Sequence, residues 1–289
     1  MFAVLWSNTG VRLGDSLKAA IERFTQGNVP SPRLNAETLL MFVLSCDRAY
    51  LHAHPERELT TEESLRYDKA LSERGSGIPT QYITGHQEFW GMDFIVTPAV
   101  LIPRPETEHL IETVLPLARK LHKPRIADVG TGSGCIALTL AKELSDAEIH
   151  AIDISPAALE VARVNAVGLQ LQDRVQFHEA DLLSGFSPAS LDFVVSNPPY
   201  VGRSEEDQVQ LEVRKFEPSQ AVFAGETGIE IIAKLVPQAR TVLKSGGWLL
   251  MEISGTIVKL VEAELEGWGD VSVVKDLQRI PRVAVARKT

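Results

Sequence analysis

Ile126-Ala-Asp128-Val-Gly130-Thr131-Gly132-Ser133-Gly134-Cys135-Ile-Ala-Leu138 sets an apolar strand against a glycine-rich turn and the start of a helix. Glycines let the backbone pass close to a ligand, while the helix N-terminus presents unpaired N–H groups. A turn of this kind is also an ordinary tight turn, so its surroundings decide. After the next strand comes Asp153, 19 residues beyond Gly134, where a carboxylate can accept both hydroxyls of a ribose. Asp181 holds the corresponding place after the third strand, within reach of an adenine edge.

Working outward, strand and helix patterns alternate: strands over 125–129, 148–152, 174–178, 191–195 and 247–253, helices over 133–144, 156–167, 228–243 and 256–266. Alternation of this kind predicts a parallel sheet with helices on both faces. Val271–Lys275 and Arg282–Arg287 are strands with no helix between them, an antiparallel closing pair that brings the sheet to seven strands. Upstream, helical patterns near 14–26, 33–45 and 61–74 form a small helical unit; the third opens on the capping box Thr60-x-x-Glu63. Glu88 to Val96 reads as a hairpin turning at Gly91. The expected organisation is a helical domain over 1–80, a β-hairpin linker over 81–103 and an α/β domain over 104–289.

Composition narrows the function. The chain has 289 residues, 44% hydrophobic and 23% charged, as in a globular protein. No apolar stretch approaches the roughly 20 residues of a membrane span, and MFAVLWSNTG lacks a basic region before its brief apolar run, so a cytoplasmic protein is expected. Cys46 and Cys135 fit neither a disulfide framework nor a zinc site, and the seven His show no metal-binding spacing. The formal charge is −9. Residues 1–80 hold 9 basic against 10 acidic side chains, so the helical unit is nearly neutral and −8 belongs to the remainder. Neither part offers the basic face that sequence-independent DNA binding needs. Ser254-Gly255 forms no G-x-S-x-G elbow, which argues against a hydrolase. No dimerisation stripe is visible, so a monomer is expected.

Three details favour S-adenosylmethionine over a nicotinamide at the glycine turn. The spacing is G-x-G-x-G, with Cys135 where a dinucleotide fingerprint wants Gly or Ala. Asp128 suits a cationic sulfonium and amino group and would repel a pyrophosphate. The antiparallel closing pair suits a methyltransferase sheet. Together these features resemble the class I S-adenosylmethionine-dependent methyltransferases, a Rossmann-like fold.

Ser196-Asn197-Pro198-Pro199-Tyr200 follows the fourth strand, at the sheet end where ligands bind. An amide or aromatic amine has a delocalised lone pair, so its methylation depends on positioning. The Asn197 side-chain oxygen and the Pro198 carbonyl can accept its two N–H hydrogens, with prolines fixing the carbonyl direction and Tyr200 packing on the planar group. Asn-Pro-Pro-Tyr is shared by DNA adenine methyltransferases and protein glutamine methyltransferases, so the motif leaves the substrate open.

Gln81–Gly85, Glu88–Pro98, Leu101-Ile-Pro-Arg-Pro-Glu-Thr-Glu108, Glu217–Gly225 and Lys275–Arg282 together resemble the PrmC/HemK family, over nearly the whole chain from residue 30. The resemblance implies methyl transfer from S-adenosylmethionine to N5 of the glutamine in the Gly-Gly-Gln motif of peptide chain release factors. It implies that the helical unit docks the release factor and that Asn197 to Tyr200 hold the amide. It places Gly130 to Gly134, Asp153 and Asn197 at the donor, with Leu182 where a larger side chain often flanks the adenine. One departure is visible: Met251–Ile257 lacks the Gln that often follows its Gly. The runner-up is a nucleic-acid adenine or cytosine amino-methyltransferase; a binding module with a vestigial donor site is the third reading. Arg104 is left open between a substrate role and a structural one, and Glu106 is expected to cap the following helix.

Overall fold

The computed structural model describes residues 11–289, so the expectation about a targeting segment at residues 1–10 lies outside the described residues. The chain divides into two compact units, Met1–Gly85 and His86–Thr289.

The first unit is helical: α1 (Leu13–Gln26), α2 (Pro32–Leu44), α3 (Arg48–Ala53), α4 (Thr61–Gly75) and α5 (Thr80–Thr84). Leu17, Ala20 and Phe24 from α1 and Leu39, Leu40 and Val43 from α2 meet in its core, because their spacing of three and four puts them on one helix face. Leu34, in the first turn of α2, is exposed. The capping box forms in both directions: Glu63 N–H donates to Thr60 Oγ1 at 3.2 Å and Thr60 N–H to Glu63 Oε2 at 2.8 Å. The sequence reading did not find α3 and α5, which are six and five residues long. So short a segment shows no full apolar repeat; the Asp47 carboxylate, accepting from Tyr50 N–H at 2.7 Å, caps α3 instead.

The second unit starts with a hairpin, β1 (His86–Phe89) and β2 (Met92–Ile95), turning through Trp90 and Gly91 at φ of 53° and 66°. Helix α6 (Glu108–Ala118) leads to the sheet strands β3 (Arg125–Val129), β4 (Glu148–Asp153), β5 (Val175–Glu179) and β6 (Leu191–Ser196), with α7 (Cys135–Glu143) and α8 (Pro156–Gly168) as crossovers. A short parallel pair, β7 (Val201–Gly202) and β8 (Phe223–Gly225), lies outside the main sheet. Strands β9 (Leu243–Glu252), β10 (Gly269–Lys275) and β11 (Pro281–Arg287) complete it.

The seven strands are ordered β10-β11-β9-β6-β3-β4-β5. Pairs from β9 to β5 are parallel, and β11 enters antiparallel to both neighbours. Order reverses between β3, which continues to β4, and β6, which continues to β9; a crevice opens beyond the carboxyl ends at such a switch. Val129 and Ser196 are register partners there, and Ser196 Oγ donates to the Val129 carbonyl at 2.7 Å. One apolar layer packs Phe89, Phe94, Leu110 and Ile136 against one sheet face, and another packs Ile232, Leu235 and Val261 against the other.

Candidate active site

At the switch lies a cleft of about 300 Å³. Its floor is the glycine turn: Gly130 and Thr131 N–H both donate to the Ile152 carbonyl at 2.9 Å, locking the turn to β4. Gly132 has φ of 55°, and a Cβ there would meet nothing within 4 Å. Conformation demands glycine at that point, and the space over it is open. Gly134 serves another purpose: a Cβ would come within 3.1 Å of Leu138 and 3.2 Å of Ala162, so it admits close packing of α7 on α8. Thr131, Gly132 and Ser133 line the cleft, and Gly134 does not.

Asp153, at the end of β4, lines the cleft and also holds the turn, accepting from Gly132 N–H and Ser155 N–H, each at 2.9 Å. Burial raises its carboxyl above the ordinary value against the pull of those bonds. Asp181 and Leu182 line the far end; Leu182 takes the left-handed region at φ 52°, an uncommon conformation for a branched side chain.

Asp128 is placed differently from its expected position beside the cationic groups of a donor. It does not line the cleft; its side chain is fully buried beneath the turn. Oδ2 accepts from Thr131 Oγ1 at 2.6 Å and from Ala137 N–H at 3.1 Å, while Oδ1 has no partner. Burial pushes this carboxyl up to about 7. An acid at this position organises the turn from below, because the turn's own hydroxyl and the Ala137 amide in the first turn of α7 converge on it.

Asn197 and Pro199 bring the fourth strand's motif to the cleft wall. Asn197 Nδ2 donates to Thr107 Oγ1 at 3.1 Å, which leaves the amide oxygen as the free acceptor. Pro198 is buried and Tyr200 half-buried, and neither lines the cleft. The Tyr200 phenol donates to Glu252 Oε1 at 3.2 Å, and its ring packs with the second apolar layer.

Arg104 pairs with the buried Glu217, whose Oε2 accepts from Ile102 N–H at 3.2 Å. This joins the Pro-rich turn to the segment before β8. Glu106 makes no capping bond and lies 3.9 Å from Arg282 instead. Sequence reasoning missed Thr107, Glu252 and Asn165. Asn165, buried on α8, exchanges bonds with Ile95 N–H at 2.7 Å and Ile95 carbonyl at 2.9 Å, and donates to Ser133 carbonyl at 2.9 Å. It fastens the hairpin to the glycine turn.

Fold and cleft together define a class I methyltransferase. Of solved structures, the chain resembles the hMettl16 catalytic domain bound to an RNA hairpin, at TM-score 0.56 and 17% identity, covering 86% of this chain and 91% of that one. It also resembles a T. thermophilus 16S rRNA methyltransferase solved with AdoMet and guanosine, at TM-score 0.53 and 18% identity, covering 71% and 50%. Residues 15–85 match the PrmC N-terminal domain and residues 106–223 the methyltransferase small domain. Curated relatives named release factor glutamine methyltransferase include one from Koribacter versatilis, 54% identical over 96% of this chain and 98% of its own length. Another, from Moorella thermoacetica, is 41% identical over 91% and 94%. The chain belongs to the release factor glutamine methyltransferase family.

Among the described residues no helix is long and apolar enough to cross a membrane.

Proposed function

We propose that this chain methylates N5 of the glutamine in the Gly-Gly-Gln motif of peptide chain release factors, with S-adenosylmethionine as donor. The observation that carries the reading is the shared cleft: the turn and Asp153 on one side, and Asn197 on the other with its amide oxygen left as acceptor. The residues fit such a donor. The turn offers an open cradle over Gly132, and the Asp153 carboxylate lines the cleft as an acceptor suited to ribose hydroxyls. Gly130 to Ser133 and Asp153 would hold the donor, with Asp181 and Leu182 at the adenine end. Bound there, S-adenosylmethionine supplies an electrophilic methyl group on a sulfonium that leaves as a neutral thioether.

The chain's own part is orientation. Asn197 Oδ1, on the cleft wall, accepts an N–H hydrogen of the glutamine amide, which turns the nitrogen toward the cleft and stabilises the charge that develops on it. The amide proton passes to water after transfer, so no side-chain base is required. The nearly neutral helical unit receives the release factor. Localisation is cytoplasmic and the chain acts as a monomer.

A labelled-methyl assay with purified chain, a release factor and duplex DNA in separate reactions tests this. Label in the release factor is expected; label in DNA alone would replace the reading by the nucleic-acid one.

A further inference from the structure

The Asn-Pro-Pro-Tyr segment is held where it enters the cleft wall and again where it leaves. At the entry, Ser196 Oγ donates to the Val129 carbonyl at 2.7 Å and Asn197 Nδ2 to Thr107 Oγ1 at 3.1 Å. At the exit, the main chain is seated on glycine. A Cβ at Gly228 would come within 2.5 Å of the Tyr200 carbonyl oxygen and 3.1 Å of Gly202 N. A Cβ at Gly202 would in turn come within 2.8 Å of the Glu226 carbonyl oxygen and 3.1 Å of Gly228 N. Two stretches of main chain therefore meet with no room for a side chain between them. Gly228 also takes the left-handed region at φ 88°, whereas Gly202, at −81°, is needed for space alone.

The turn that carries Gly228 is itself fastened. Glu230 opens the helix Glu230–Val242, and its carboxylate accepts from Thr227 N–H at 2.8 Å, Thr227 Oγ1 at 3.0 Å and Gly228 N–H at 2.9 Å. The parallel pairing of β7 with β8 brings the two stretches alongside each other. We infer that Gly228 is a positioning residue for methyl transfer: its main chain, held by Glu230, is the seat on which the Tyr200 carbonyl rests, and it sets how far Asn197 to Tyr200 reach into the cleft. This rests on the reading of that segment as the holder of the glutamine amide. A methyl group at Gly228 forces the Tyr200 carbonyl away by roughly half an ångström or more, and a misplacement of about 1 Å at reacting groups costs about a hundredfold in rate.

Four variants of the full chain test it. Gly228→Ala puts a methyl group into the seat. Gly246→Ala is its control: that glycine has a similar φ of 79°, lies near the start of β9 at the sheet end away from the cleft, and faces only the end of the Arg287 side chain, at 3.3 Å. Glu230→Ala removes the fastening, and Glu230→Gln keeps an acceptor oxygen. Donor affinity is measured by calorimetry, and kcat and KM with a purified release factor. Gly228→Ala should lower kcat about ten- to hundredfold, with donor affinity and KM kept within about threefold. Gly246→Ala should keep wild-type kcat while losing stability to the same backbone strain. Glu230→Ala should lower kcat in the same way, and Glu230→Gln should recover part of the loss. Wild-type kcat in Gly228→Ala overturns the inference. So does an equal fall in Gly246→Ala, which would assign the loss to backbone strain wherever it is placed. If Gly228→Ala does not fold, the Glu230 pair decides, and wild-type kcat in Glu230→Ala overturns the inference. Failure of the functional reading itself is distinguishable, because wild-type chain would then leave the release factor unlabelled before any substitution is made.

Discussion

Asn197 donates its side-chain N–H to the Thr107 hydroxyl at 3.1 Å, across 90 residues of sequence. That bond decides which end of the amide faces the cleft. Replacing Asn197 by Ala removes the acceptor for the substrate without touching the glycine turn. Turnover should fall by roughly a hundredfold or more, the scale for losing a fixed polar group that meets the transition state. Donor affinity by calorimetry should stay near wild type. Turnover close to wild type would show that the amide is held elsewhere.

Asp153 ties the turn and faces the cleft at once. In Asp153→Ala, the N–H groups of Gly132 and Ser155 lose their carboxylate acceptor. Hydrogen bonds to a charged group contribute about 1.5–3 kcal/mol, so donor dissociation constants should rise roughly ten- to hundredfold. Equilibrium binding measured by calorimetry checks this, and an unchanged constant would place the ribose away from β4.

Asn165 makes three bonds, all to main chain, and is 2% exposed. Asn165→Leu leaves one amide and two carbonyls buried without partners, at about 1–3 kcal/mol each. Thermal unfolding should shift down by roughly 6 °C or more. Donor affinity should weaken with it, because Ser133 belongs to the turn. An unshifted melting temperature would mean water replaces the side chain.

Asp128 makes stability pH-dependent. Its carboxyl titrates near 7 when folded, against an ordinary 3.8, so the folded state holds a proton between those values that the unfolded state has lost. Stability from this group is therefore full below about pH 4 and declines as pH rises toward 7. Asp128→Asn removes that slope, so the wild type should lose more melting temperature than the variant between pH 5 and 8. Parallel pH profiles would contradict the assignment.

The sheet was legible because its strands are apolar runs bounded by turn residues: Arg125–Val129 was found to the residue, and Leu191–Ser196 within one. The cleft's turn and Asn197 were legible because their chemistry is local in sequence. Thr107 and Glu252 were not. Thr107 sits in a three-residue 3-10 turn and meets the motif through its bond to Asn197, and Glu252, at a strand end, is brought there by the β6–β9 pairing. Asp128 was recognised as important and placed on the wrong side of the turn, since spacing does not say which way a strand-end side chain points. The segment 203–222 was missed because its helices, Leu211–Phe216 and Ser219–Val222, are six and four residues long. Neither length shows a repeat.

The central claim is that the cleft methylates one glutamine amide. Labelled S-adenosylmethionine, the purified chain and a release factor, followed by peptide mapping, test it most directly, with a second release factor whose Gly-Gly-Gln glutamine is replaced. The account expects one methyl group on that glutamine and none on the replaced factor. Equal labelling of both would contradict it.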